Sequence, residues 1–180
     1  MNKRYQLKRR AERQAETRRR IVEAAVDLHT TLGPARTSIK AIAERAGVQR
    51  HTVYAHFADT ESLFGACSSH WQSLHPYPAI DPAAGLGAVL EAIYGWYDEV
   101  EHDFALFVRD TDVFPKFRLE RERNLSALAV ALAAQYGKGK VTRAAVGHAL
   151  AFETWRSLVR DERLSRHQAV DAMVRFVESV

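Results

Sequence analysis

The sequence predicts an all-α chain of about nine helices, with a small N-terminal helical domain followed by a larger helical one. Three observations carry this. Apolar residues recur at three- and four-residue spacing through most of the chain, as one face of a helix requires. No alternating apolar and polar run of useful length appears, so no strand is expected. Three of the five prolines, Pro76, Pro78 and Pro82, fall between Ser73 and Gly87, where regular helix must be interrupted. The chain is read as a basic arm over residues 1–16, a first domain over 17–64 and a second over 65–180.

Length and composition bound the class. At 180 residues the chain is long enough to bury a core, and its 47% apolar and 27% charged content is that of a soluble protein. The net charge of +4 is unevenly placed, because the first twenty residues hold nine Lys or Arg, from Lys3 and Arg4 to Arg20, against only Glu12 and Glu16. A basic end on a mildly acidic body points that end toward a polyanion. The single Cys67 cannot form an intramolecular disulfide, which fits a reducing compartment, and it reads as a small buried filler before a reactive thiol. The longest apolar run, Ala127 to Ala134, is far shorter than the roughly 20 residues that span a bilayer. No apolar segment follows the N-terminal charges, so no signal peptide is expected and the location is read as cytoplasmic.

In chain order, residues 1–20 lack an apolar stripe and read as a frayed or partly helical arm that merges into the first helix near Thr17. Ile21, Ala25, Leu28 and Leu32 form the stripe of the first full helix, which stops at Gly33-Pro34. Thr37 or Ser38 caps a second helix whose inner face is Ile39, Ile42, Ala43 and Ala46. Gly47 supplies the positive φ of a sharp turn, Val48 plugs the corner, and a third helix turns Val53 and Phe57 inward. His51, Thr52 and Ala55 then face outward, with Arg50 in the first turn and Tyr54 on the shoulder. Asp59 caps a fourth helix with Leu63 and Phe64 on its inner side. Beyond the prolines, Leu86, Val89, Leu90, Ile93, Tyr97, Val100 and Phe104 form one stripe. Leu125, Leu128, Ala129, Leu132 and Tyr136 form another. Val141, Ala145, His148, Phe152, Trp155 and Val159 are read as one long helix. Ser165-x-x-Gln168 is a capping box opening a last helix with Ala169, Ala172, Met173, Phe176 and Val180 inward.

Two helices hinged at a glycine, the second presenting polar groups, suit a helix-turn-helix that projects its recognition helix into a major groove. Any helical hairpin shares the apolar spacing. The specific string decides between them: Ile-Ala-x-x-Ala-Gly-Val-x-x-x-Thr-Val-Tyr-x-x-Phe over Ile42 to Phe57, followed by Asp59-x-Glu61-x-Leu63, resembles the DNA-binding domain of the TetR family of bacterial transcriptional regulators. The resemblance spans about Arg19 to Phe64. It departs from the family at Thr60, where a lysine is usual, and at His51, where a small residue or proline is common. The resemblance implies a three-helix DNA-binding domain followed by a ligand-binding and dimerisation domain. It also implies a repressor acting on duplex DNA at the nucleoid, and an arm that either reaches along DNA or remains a solvated tail.

On this reading Gln49, Arg50, His51 and Thr52 read base edges, while Thr37, Ser38, Lys40, Tyr54 and His56 hold phosphates. A second copy of the chain is the expected partner, because Ala144, Gly147 and Ala151 give the helix over 141–159 a second close-packing face. Leu158, Met173 and Phe176 complete the candidate dimer interface. A small-molecule effector, partly apolar or aromatic, is implied by the resemblance. Among Trp71, Tyr94, Trp96, Phe104, Phe107, Phe114, Phe117, Phe152 and Trp155, the candidate contacts are Trp96, Phe107, Phe152 and Trp155, with His148 as the polar group. Each reads at least as well as core. No catalytic or metal-binding constellation appears: His51 and His56 are five apart, there is no His-Glu-x-x-His, no Gly-x-Ser-x-Gly and no Cys-x-x-Cys. Neither an enzyme nor a cofactor is expected. The competing reading is a helical ligand-binding protein without sequence-specific DNA function.

Overall fold

The computed structural model describes residues 3–137 and 139–180; the side chains of Lys3, Arg4, Lys116, Phe117 and Glu120, including two arm cations and one of the aromatics named above, lie outside the described residues. Among the described residues there are nine α-helices and no strand: α1 (Lys3–Thr31), α2 (Ile39–Ala46), α3 (Arg50–His56), α4 (Thr60–Leu74), α5 (Leu86–Arg109), α6 (Pro115–Ala133), α7 (Lys140–Ala149), α8 (Phe152–Arg156) and α9 (Arg166–Glu178). They form two compact units, one of Met1–Pro76 with His102–Phe114 and one of Tyr77–Glu101 with Pro115–Val180.

In the first unit α1 is helical from Lys3, where the sequence led us to expect an arm that is frayed or only partly helical. Strong helix formers and pairs at helical spacing explain the difference. Lys8 pairs with Glu12 at 3.9 Å, and Arg19 bridges Glu16 and Glu23 at 2.7 and 2.6 Å. From Ile21 onward the helix has a buried face of Ile21, Val22, Ala25 and Leu28, joined by Ile42, Ala43 and Ala46 of α2, Val53 of α3, Phe57, and Leu63 and Cys67 of α4. Leu32, expected on the same stripe, lies past the helix end and is 41% exposed. Burial pushes the Cys67 thiol up to about 12, so it stays protonated as an apolar filler.

The α1 terminus is followed by Gly33 at φ 90°, where a Cβ would run into the Arg109 guanidinium and the Asp110 carboxylate. Asp110 is buried, accepts from the Ala35 N–H at 2.9 Å, and receives Arg109 Nε at 2.7 Å. Arg109 also donates to the Leu32 carbonyl at 3.1 Å. The Arg109 guanidinium holds the Asp110 carboxyl below the usual carboxylate range. Nearby His29 is only 5% exposed, with its ring centroid 5.6 Å from that of Phe64. Burial drives its pKa down to about 4, partly opposed by Asp110, so the imidazole is neutral at neutral pH.

In the second unit, α5 buries Leu86, Val89, Leu90, Ile93, Tyr94, Trp96, Tyr97 and Val100. The stripe expected to run as one helix from Val141 to Val159 is instead broken: α7 ends at Ala149, Ala151 is extended at φ −71° and ψ 140°, and α8 begins at Phe152. A π turn over Ser157–Asp161 follows. The break frees carbonyls that a continuous helix would pair, and side-chain hydroxyls take their place. Tyr94 donates to the Ala149 carbonyl at 2.8 Å, Tyr97 to that of Leu150 at 3.0 Å, and Thr154 to that of His148 at 2.6 Å. α9 opens with the expected capping box at Ser165 and Gln168, but it buries Ala169, Val170 and Val177. Its face is therefore rotated from the expected one, leaving Phe176 41% and Val180 49% exposed.

Candidate nucleic-acid interface

Ser38 starts α2 by accepting the Ala41 N–H at 3.1 Å, so it and not Thr37 is the cap. The Thr37 hydroxyl donates instead to the Gly33 carbonyl at 2.9 Å. At the far end Gly47 adopts φ 65°, and Val48 N–H returns to the Ala43 carbonyl at 2.9 Å while Gly47 N–H reaches Glu44 at 3.1 Å. This is a Schellman closure, which needs a left-handed residue at the glycine. Arg20 of α1 donates to the Ala46 and Gly47 carbonyls, supplying a cation where the helix dipole favours one.

α3 is only seven residues long and too short to persist alone. Its anchors are Val53, 1% exposed, and Phe57, 4% exposed. Each such burial contributes roughly 1.5–3 kcal/mol, so the recognition helix is held by the core beneath it. The Arg18 guanidinium covers the Phe57 ring at 4.6 Å. With Val53 and Phe57 inward, Gln49, Arg50, His51 and Ala55 are exposed, Tyr54 is exposed, and Thr52 and His56 are half-buried. Lys40 projects from α2 and lies 3.8 Å from Glu44. Asp59 caps α4 by accepting the Ser62 N–H at 2.7 Å, with the reciprocal Ser62 hydroxyl contact completing a capping box.

The sequence-derived effector residues separate into different settings. Trp96, Phe152 and Trp155 are buried in the second unit around Tyr97, whose ring lies 5.2 Å from Phe152 and 5.6 Å from Trp155. Phe107 belongs to the first unit, where its ring stands edge-on to Trp71 at 5.3 Å. His148 is exposed and approaches Phe176 at 6.2 Å, so it does not join the buried aromatics as expected. The end of α7 before the break turns it outward. Tyr94 and Tyr97, counted only as apolar from the sequence, prove to be the donors that hold the break. Trp155 is fully buried and its indole N–H has no acceptor among the described residues.

Of the residues read as a dimer interface, Ala144 is exposed, and Ala151, Leu158 and Met173 are half-buried beside the exposed Phe176. Gly147 faces α6 of the same chain: a Cβ there would lie 4.0 Å from that of Ala129. That is an ordinary contact distance, so packing against α6 does not by itself require a glycine there.

Residues 21–67 match the family described as bacterial regulatory proteins, tetR family. Over 143 residues the chain is 32% identical to the HTH-type transcriptional repressor Rv3405c of Mycobacterium tuberculosis, covering 76% of this chain and 70% of that protein. The HTH-type transcriptional regulator Mb3439c of Mycobacterium bovis shows the same 32% identity over 143 residues. The backbone is similar to that of the multidrug binding protein EbrR, solved with imidazole, at a TM-score of 0.62 and 22% identity over 88% of each chain. It is also similar to the flavonoid-responsive regulator FrrA, at a TM-score of 0.57 and 25% identity over 92% of this chain and 96% of that one.

Proposed function

The chain belongs to the TetR family of bacterial regulatory proteins, and from that premise we propose a homodimeric repressor released from a palindromic operator by a small-molecule effector. The observation that carries the reading is the exposed polar face of α3, held on Val53 and Phe57 behind a left-handed Gly47. Two such helices related by a two-fold axis would enter successive major grooves about 34–36 Å apart. Gln49, Arg50, His51 and Thr52 read base edges, with Arg50 bidentate to a guanine. Thr37, Ser38, Lys40, Tyr54 and His56 hold phosphates. This work belongs to residues 17–64, and effector binding and dimerisation to 65–180. The protein acts in the cytoplasm, at the nucleoid.

The half-exposed apolar strip of Met173 and Phe176 on α9 supports a second copy as the occupant of that face. The buried aromatic group and the unpaired Trp155 N–H support an effector that is partly aromatic and carries a hydrogen-bond acceptor. The flavonoid response of FrrA, at 25% identity, is in keeping with this. Release requires that the effector prefer the DNA-incompetent state.

The test is selection of bound duplexes from a random pool by the purified protein at about physiological salt. An enriched palindrome with half-sites one helical turn apart is expected. Binding without enrichment would leave only a general polyanion affinity, and no binding would return the chain to a helical ligand-binding protein.

A further inference from the structure

The indole N–H of Trp155 and the Nε–H of Arg121 are both shielded from solvent, and neither meets an acceptor among the described residues. A buried donor without a partner is destabilising, and a charged one more so, so each calls for an explanation. Arg121 stands where an apolar side chain is expected. Arg121, Leu125, Leu128 and Leu132 follow four-, three- and four-residue spacing along the inner face of α6, with Leu132 fully buried and the other three half-buried. Glu122, Arg123, Asn124 and Ser126 between them are exposed. A stripe of leucines thus continues into a cation.

Its neighbour Arg118 lies 3.8 Å from Glu122, whereas among the described residues no carboxylate pairs with Arg121. Both orphan donors stand near Tyr97. The Tyr97 ring lies 5.6 Å from that of Trp155, and burial pushes its hydroxyl up while the charge of Arg121 is close enough to oppose that shift. Glu153 is felt there too, but its side chain is exposed. The Tyr97 hydroxyl already donates to the Leu150 carbonyl at 3.0 Å, which leaves Arg121 and Trp155 as the donors to spare. We propose that the effector of this chain is an aromatic carboxylate, with its anion on the Arg121 guanidinium, its ring among Tyr97, Phe152 and Trp155, and an oxygen accepting the Trp155 N–H. The inference rests on the effector reading above and adds the sign of the ligand's charge.

Charge and shape favour this class. The planar guanidinium presents parallel N–H groups that a carboxylate accepts as a pair, and the low dielectric around a shielded Nε strengthens such a contact. A neutral aromatic would match the rings and leave the cation unpaired. A cationic ligand would add a second uncompensated charge beside it. The flat faces of Tyr97, Phe152 and Trp155 suit a planar ring in stacked or edge-on contact, so the two halves of the ligand are read by different residues.

The experiment measures dissociation constants by titration calorimetry on the full chain without DNA, for benzoate and 1-naphthoate and for their neutral amides, benzamide and 1-naphthamide. On the unmodified chain at neutral pH an acid is expected to bind at least about tenfold more tightly than its own amide. Arg121→Met should remove that preference by weakening the acid alone, and Arg121→Lys should keep part of it. Arg123→Met, at an exposed cation of the same helix, should leave it unchanged. Trp155→Phe should weaken acid and amide alike, since both carry an acceptor. Amides binding as tightly as the acids would overturn the proposal and leave an aromatic effector standing, a result that needs no variant to fold. Equal weakening of acid and amide by Arg121→Met, or a preference that survives it, overturns the assignment as well. If none of the four probes binds, the proposal and the aromatic-effector reading fall together.

Discussion

His29 offers a quantitative test of the first unit. Its imidazole is buried, and its pKa falls from 6.5 to about 4 on folding. Between those values the unfolded chain binds a proton that the folded chain refuses, so stability is complete above the unfolded value and declines as pH falls toward the folded one. The full loss is about 3 kcal/mol, of which about 2 kcal/mol is lost between about pH 7 and pH 5. Asp110, whose pKa is lowered, acts in a different window: its contribution is present above the usual carboxylate value and is lost only as pH falls below it. The variant His29→Leu retains an apolar group of similar reach and removes the proton site. Urea unfolding followed by helical circular dichroism, at one protein concentration, should show the unmodified chain losing about 2 kcal/mol more than the variant between these two pH values. Equal losses in the two proteins would mean that His29 is accessible to protons in the folded state, and the argument from burial would fail.

Other perturbations follow from the same structure. Gly33→Ala places a Cβ against Arg109 and Asp110 at a φ of 90°, and should cost at least about 1–3 kcal/mol by denaturant unfolding, with the direct collision adding to the backbone strain. Tyr97→Phe removes a hydroxyl that donates to the Leu150 carbonyl and should cost about 1–3 kcal/mol, read as a lowered melting temperature; no change would mean that water or a straightened helix replaces it. Arg50→Ala should relax base preference at one position of each half-site by about 1–3 kcal/mol, measured by repeating the duplex selection. Tyr54→Phe should weaken operator and unrelated duplex alike, and a change confined to the operator would reassign it to base reading.

How far the sequence foretold these features depended on how local their causes are. Ser38, Asp59 and Ser165 act on amides three residues away, and the positive φ at Gly47 follows from a turn that only a few residues define, so Asp59, Ser165 and Gly47 were legible and the cap of α2 was narrowed to Ser38 or its neighbour Thr37. The outward set on α3 was legible for the same reason, since Val53 and Phe57 orient a short helix unambiguously. The rotation of α9 was not, because Val170 and Val177 compete with Phe176 and Val180 for the inner face and only the neighbouring helices choose between them. The break after α7 was hidden for a stronger reason. Its apolar spacing is that of one helix, and the hydroxyls that stabilise the interruption come from Tyr94 and Tyr97, separated from their acceptors by 55 and 53 residues. Likewise, a charge run alone does not reveal that Arg18, Arg19 and Arg20 serve the fold while Arg9, Arg10 and Arg13 face a cleft.

The interruption between Ala149 and Phe152 also carries information about descent. A relative with phenylalanine at the positions of both Tyr94 and Tyr97 has no remote donors for two freed carbonyls, and backbone amides four residues on become their natural partners. Such a relative is expected to run one unbroken helix where this chain has two, with every side chain beyond the join set at a different angle around the axis. Relatives that keep both tyrosines are thus expected to share the bend, and those with phenylalanine at both positions to run straight, a difference that their solved structures can check.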